Sequence, residues 1–163
     1  MNNDSPPTIT PVQSQRRLGR VTAIARSLGF IGKIEYCHVF CQSGGAQYGK
    51  GQSSSDDLLI VYAEAFNRDS DPDDFSLDAI IAHECGHQLL ARHPRIVKHI
   101  TKPVSLASEE ILASLLGAMI CQEQSDRDAL LAKATVELVE HGEQLTLAVE
   151  RLQELWDLLE TLL

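Results

Sequence analysis

Apolar residues recur at Leu18, Val21, Ile24, Ala25 and Leu28, the spacing of one face of a helix. They predict a helix over 14–28, with Gly29 where a C-terminal cap belongs. Ile34 to Cys41 is short and rich in β-forming residues, which predicts a strand. The next segment, 42–55, carries Gly44, Gly45, Gly49 and Gly51 and reads as a flexible turn or loop. Leu58-Leu59-Ile60-Val61-Tyr62 predicts a second strand, running on towards Ala65. Two strands joined by a glycine-rich link predict an antiparallel hairpin.

Beyond a polar turn over 67–74 that contains Pro72, the pattern turns helical. Ser76 is placed to cap a helix and Asp78 lies in its first turn, where the helix dipole favours an acid. That helix is expected to reach Arg92 and to stop before Pro94. Another begins at Ser105 or Ser108 and ends near Gln122; two more cover 126–140 and 143–163, with Gly142 between them. The last carries a stripe at Leu145, Val149, Leu152, Trp156, Leu159 and Leu163 whose spacing alternates four and three, a seam for a second helix. Its partner is the preceding helix of the same chain, or a second copy in a homodimer. The expected class is α+β: a small antiparallel sheet with helices. The expected division is a disordered tail at 1–13, a domain at 14–122 and a helical hairpin at 123–163, packed on the domain or used for association.

The chain has 14 basic and 23 acidic residues and a net charge of −9, which argues against general nucleic-acid binding. No apolar run is long enough to span a membrane. Met1-Asn2-Asn3-Asp4-Ser5-Pro6-Pro7 lacks the charged start and apolar stretch of a secretory signal. Cys37 and Cys41, on one strand, would lie about 13 Å apart, too far to pair. Free thiols and a reducing, cytoplasmic setting are expected.

Chemistry concentrates in His83-Glu84-Cys85-Gly86-His87. Residues four apart on a helix project from one face, so both imidazoles can reach one ion, with Glu84 beside it as a general base for water. Neutral imidazoles suit Zn²⁺, which at catalytic sites keeps three protein ligands and one open position. Glu110 is the favoured third ligand and Glu109 its neighbour alternative. His93 is a further alternative, at the spacing used by astacin-like metzincins; that arrangement needs a sharp turn where this chain has Leu90, and a helix continuing through Leu90 points His93 away. Ile60, Val61, Tyr62 and Ala63 are expected on an edge strand to which a peptide substrate adds through backbone hydrogen bonds. Tyr48, His93 and His99 are candidate oxyanion-stabilising groups, Cys85 reads as a small packing residue, and His38 and His141 suggest no role.

Ala82-His83-Glu84-Cys85-Gly86-His87-Gln88-Leu89-Leu90, followed by Glu109-Glu110-Ile111-Leu112-Ala113, resembles the ImmA/IrrE-type metallopeptidases over roughly residues 14–120. The resemblance implies a minimal zincin fold, with His83, His87 and Glu110 as zinc ligands, Glu84 as base and a protein substrate of the DNA-binding repressor kind. Two departures stand out. The family's glutamate is usually followed by an Ala-Asn-like pair, here Ile111-Leu112, and thermolysin-like relatives place an aspartate where this chain has Ser114. No helix-turn-helix module is recognisable. A metal-holding module that sequesters a partner without cutting it is the alternative function.

Overall fold

The computed structural model describes residues 5–41, 44–68, 75–100, 109–140 and 145–163. Pro72, His141, Gly142 and the side chain of His99 lie outside the described residues. Helix α1 spans Pro11–Ser27, starting ahead of the expected Ser14. The reason is a complete capping box: the Thr10 hydroxyl accepts from the Gln13 N–H at 3.2 Å, and the Gln13 side chain accepts from the Thr10 N–H at 2.8 Å. Pro11 suits the first helical position, where no N–H is required. Residues 11–13 therefore belong to a helix and not to a tail. At the other end Gly29 takes φ +89°, a left-handed conformation that suits its capping position.

Strands β1 (Lys33–Cys37), β2 (Ala46–Gly49) and β3 (Leu58–Tyr62) form a sheet in the order β1-β3-β2. β1 and β3 are parallel, and β2 runs antiparallel to β3. The expected antiparallel hairpin of β1 and β3 is thus corrected to a mixed sheet. The connection between them is long enough for a crossover and carries β2 within it, in the glycine-rich segment read as loop. A second correction concerns the edge. Ile60, Val61 and Tyr62 lie on the central strand, Ala63 opens helix α2 (Ala63–Arg68), and the edge on the α3 side is β2. Cys41 falls beyond the end of β1.

The remaining helices are α3 (Leu77–Arg92), α4 (Pro94–Ile100), α5 (Glu109–Ile120), α6 (Gln124–Glu140) and α7 (Leu145–Leu162). The chain is α+β, and among the described residues no helix is long and apolar enough to cross a membrane. On the sheet side of α3, Val21, Ala25, Leu59, Val61, Leu77 and Ile81 form one apolar cluster. On the far side, Leu115, Leu116, Leu138, Leu152, Leu155 and Leu159 form another, which joins α5, α6 and α7. Residues on both sides of the expected 122/123 division share that core. The buried seam of α7 is Ala148, Leu152, Leu155 and Leu159. It is rotated from the expected stripe, leaving Val149 and Leu163 exposed. Small Ala148 allows close approach, and α7 carries enough leucines to offer more than one stripe.

Helices α3 and α5 are the pair that matters for chemistry. A Cβ on Gly86 would lie 2.0 Å from the Ala113 carbonyl oxygen, and one on Gly117 2.7 Å from the Ala82 carbonyl oxygen. Each helix contributes a glycine facing the other's backbone. The two backbones therefore meet at a distance no larger residue permits.

Candidate metal centre

This contact sets the reach of α5. Glu110, Ala113, Ser114 and Gly117 recur at helical spacing along the face turned to α3, so Glu110 and Ser114 arrive beside His83 and His87. Ser76 caps the start of α3 by accepting from the Ala79 N–H at 3.0 Å, and also donates to Asp126 at 2.6 Å. His83 and His87 are buried, with their rings 4.8 Å apart and nearly perpendicular.

Their Nε2 atoms face each other at 3.2 Å. Both also meet the Glu110 carboxylate: His83 Nε2 lies 2.9 Å from Oε2, and His87 Nε2 lies 3.1 Å from Oε1. Four ligands at 2.0–2.1 Å around a tetrahedral zinc have donor atoms separated by about 3.3 Å. The three separations here approach that spacing. The opposite ring nitrogens have partners of their own. His83 Nδ1 lies 3.0 Å from the buried Ser114 hydroxyl, and His87 Nδ1 lies 3.2 Å from Glu109 Oε1. Such partners fix ring orientation and leave Nε2 as the atom a metal ion could reach. Glu110 and Glu109 are thus distinguished by geometry: the first faces the converging nitrogens, the second the outer nitrogen of one ring. The ligand atoms of His83, Glu84 and His87 lie within 4.8 Å of one another, a grouping able to hold a metal ion whose identity the geometry leaves open.

Burial pushes the His83 imidazole below its ordinary value despite Glu110. Burial acts in the same sense on His87, but the carboxylates of Glu110, Glu84 and Glu109 outweigh it and raise that imidazole. Glu110, hydrogen-bonded to His83 and then His87, is held well below the carboxylate range. Glu84 is pushed up to about 7, chiefly by burial. Its carboxylate accepts from the Tyr48 backbone N–H. This contact comes from the sheet. The Tyr62 N–H donates to the Gly45 carbonyl, so strand alternation turns the backbone groups of Gly45 and Gln47 towards β3 and those of Ala46 and Tyr48 outwards. The free edge of β2 therefore faces the histidine helix.

A cleft of about 600 Å³ opens there, walled by Gly44–Tyr48 on one side and by Glu109, Glu110, Leu130 and Lys133 on the other. His93 is not among its lining residues. α3 stays helical through Leu90 to Arg92, and His93 stands exposed at the C-cap, its N–H donating to the Leu89 carbonyl at 3.0 Å. The metzincin-like alternative therefore lacks its turn. The Tyr48 hydroxyl is committed elsewhere, donating to Asp57 at 2.9 Å. Cys85 is core, its thiol pushed up to about 12 by burial.

Two features escaped sequence reasoning. One is Lys133, whose position on α6 carries no motif. The other is Asp57, a fully buried carboxylate that accepts from Gly51 N–H at 2.7 Å, Gln88 Nε2 at 2.8 Å, Arg92 Nε at 3.0 Å and the Tyr48 hydroxyl, and also from Arg92 Nη2. A Cβ on Gly51 or Gly32 would collide with the backbone around it, at 2.5 Å and 2.4 Å. Gly51, in the glycine-rich segment, was the available signal: with Gly32 it makes room for a buried ionic hub. Comparison with protein-family models, with curated proteins and with solved structures returns no match.

Proposed function

We propose that the chain is a zinc-dependent endopeptidase of minimal zincin type. The observation that supports this reading most is the convergence of two imidazole Nε2 atoms and one carboxylate, mutually 2.9–3.2 Å apart, with a second carboxylate alongside. His83, His87 and Glu110 would hold the ion; Ser114 and Glu109 would orient the rings. Zinc in such a site supplies Lewis acidity, activating water and polarising a carbonyl. Glu84, steadied by the Tyr48 N–H, takes a proton from the attacking water and returns it to the departing amine. A substrate segment lies along the free edge of β2, where Ala46 and Tyr48 offer backbone groups, so affinity comes with little side-chain selectivity. The resemblance to ImmA/IrrE-type enzymes suggests a regulatory repressor as substrate, and cytoplasmic action with it.

Replacing Glu84 by Gln tests the reading. Hydrolysis of an unfolded protein substrate by zinc-loaded protein is expected to fall by at least about 100-fold, the lower bound for loss of a positioned base. Zinc content should remain that of wild type. Wild-type protein that holds zinc but leaves substrate intact would instead leave a metal-holding regulatory module.

A further inference from the structure

The proposed reaction needs a group to meet negative charge on the carbonyl oxygen, and of the candidates with described side chains neither Tyr48 nor His93 is placed for it. The Tyr48 hydroxyl is bound to Asp57, and His93 stands outside the cleft. Lys133 remains. It is the one Lys or Arg among the described residues that line the cleft, which it shares with Glu84, Glu109 and Glu110. Its position on α6 is built. Leu130 and Ala134, on either side of it in the sequence, are buried, which fixes the helix's rotation and leaves Lys133 half-buried towards the cleft. Its ammonium sits 5.7 Å from the centroid of the Phe75 ring, which also lines the cleft. A cation so placed is attracted to the ring face. Its charge is felt at both His83 and Glu84.

We propose that Lys133 is a catalytic residue of this cleft, donating a hydrogen bond to the scissile carbonyl oxygen as that oxygen gains negative charge. The inference rests on the peptidase reading and deepens it. As water adds to the carbonyl carbon, the carbonyl π pair moves to oxygen; Lys133 transfers no proton and meets the charge through an N–H. The C-terminal helices thereby supply a working part of the site as well as a cover for its core.

Binding separates this role from a structural one. Zinc-loaded wild type, Lys133→Met and Lys133→Arg are titrated with two probes: acetohydroxamate, which tests for an open zinc position, and an alanine-based peptidyl phosphonamidate, which mimics the charged tetrahedral oxygen. Lys133→Met should bind the phosphonamidate about 100-fold more weakly, the scale of losing one oxyanion donor. Lys133→Arg should recover most of the loss, with zinc content and hydroxamate affinity unchanged in both. Equal phosphonamidate affinity in Lys133→Met, or no phosphonamidate binding by wild type that takes hydroxamate, overturns the role of Lys133 and leaves the zinc reading standing. Zinc loss in Lys133→Met also overturns it, since the charge would then be holding the centre together. Failure of wild type to bind hydroxamate overturns the peptidase reading itself.

Discussion

Helix α3 carries two polar clusters, each built on an i, i+4 pair, and they differ in kind. Gln88 and Arg92 meet Asp57, and the outcome is complementary: one buried carboxylate, surrounded by donors from four residues. His83 and His87 meet Glu110, and the outcome is crowding. Two ring nitrogens that face each other share one carboxylate, with Glu84 and Glu109 close by. The first cluster closes its hydrogen-bond accounting within the protein, as a structural hub must. The second brings acceptors together around a point able to hold a cation. Burial alone does not mark function; what distinguishes the clusters is whether their partners are opposite or alike.

The largest way to break the comparison is through Gly86, which belongs to the metal helix but not to the hub. Gly86→Ala drives a methyl group into the Ala113 carbonyl, and neither partner is a flexible side-chain end. Overpacking of this kind costs about 3 kcal/mol. It should also push Glu110 away from the histidines, lowering zinc affinity together with the urea midpoint. A variant that melts like wild type would mean the helices are not held as closely as described.

Next comes Glu110→Ala. It removes the carboxylate between the two Nε2 atoms, and zinc affinity should fall by more than about 100-fold, beyond the usual effect of losing an outer partner. His93→Ala, at the exposed C-cap, should leave zinc binding unchanged. The reverse pattern in competition titrations would reassign the third ligand.

Much of this was legible in the chain, for physical reasons that can be named. The histidine helix announces itself because its cap, its spacing and its stop are all local, and Ser76 and Arg92 bound it as expected. Gly86 was readable as a site of close packing; Gly117, its counterpart, was not, since nothing local says which backbone it faces. The edge strand was misplaced for a clear reason. Leu58–Tyr62 has the apolar content of a strand with neighbours on both sides, whereas Ala46-Gln47-Tyr48-Gly49 has little β-propensity and is held by pairing with β3. The capping box at Thr10 and Gln13 was present in the sequence but was overshadowed by the prolines before it. Asp57 leaves only an indirect trace in the chain, through Gly51, and Lys133 depends on tertiary contacts alone.

The hub yields a smaller and pH-dependent effect. Burial by itself would raise the Asp57 pKa, but hydrogen bonds from Arg92, Gln88, the Gly51 N–H and Tyr48 outweigh it and hold the carboxyl well below its ordinary range. Its contribution is therefore complete above the unfolded value of about 3.9 and is lost as pH falls from there through the lower folded value. Asp57→Asn should cost about 2 kcal/mol at pH 7, less than a fully buried ion pair because the Arg92 side chain is 24% exposed and partly screened. The gap between variant and wild type should narrow in urea melts run below pH 3. Zinc stoichiometry should not change, which is where the two clusters part. A gap that stays constant with pH would show that the charge of Asp57 is not what stabilises the hub.

The smallest effect lies where a structural kind of contact enters the metal site. Ser114 is fully buried, and its hydroxyl is the Nδ1 partner of His83 at 3.0 Å. With Nε2 directed at a metal, Nδ1 carries the proton and the serine oxygen accepts it. A neutral hydroxyl orients the ring as a carboxylate would but adds less negative charge to the imidazole, so its removal should fall at the weak end of the range for such partners, about 10-fold in zinc affinity. Ser114→Ala also leaves an imidazole N–H without a protein acceptor in a buried position, so stability should fall even without metal. The two losses are separable: melts of apo protein read the second, and competition for zinc reads the first. If the variant loses apo stability but keeps full zinc affinity, His83 is oriented by helix packing alone, and Ser114 belongs with the Asp57 hub as a structural contact.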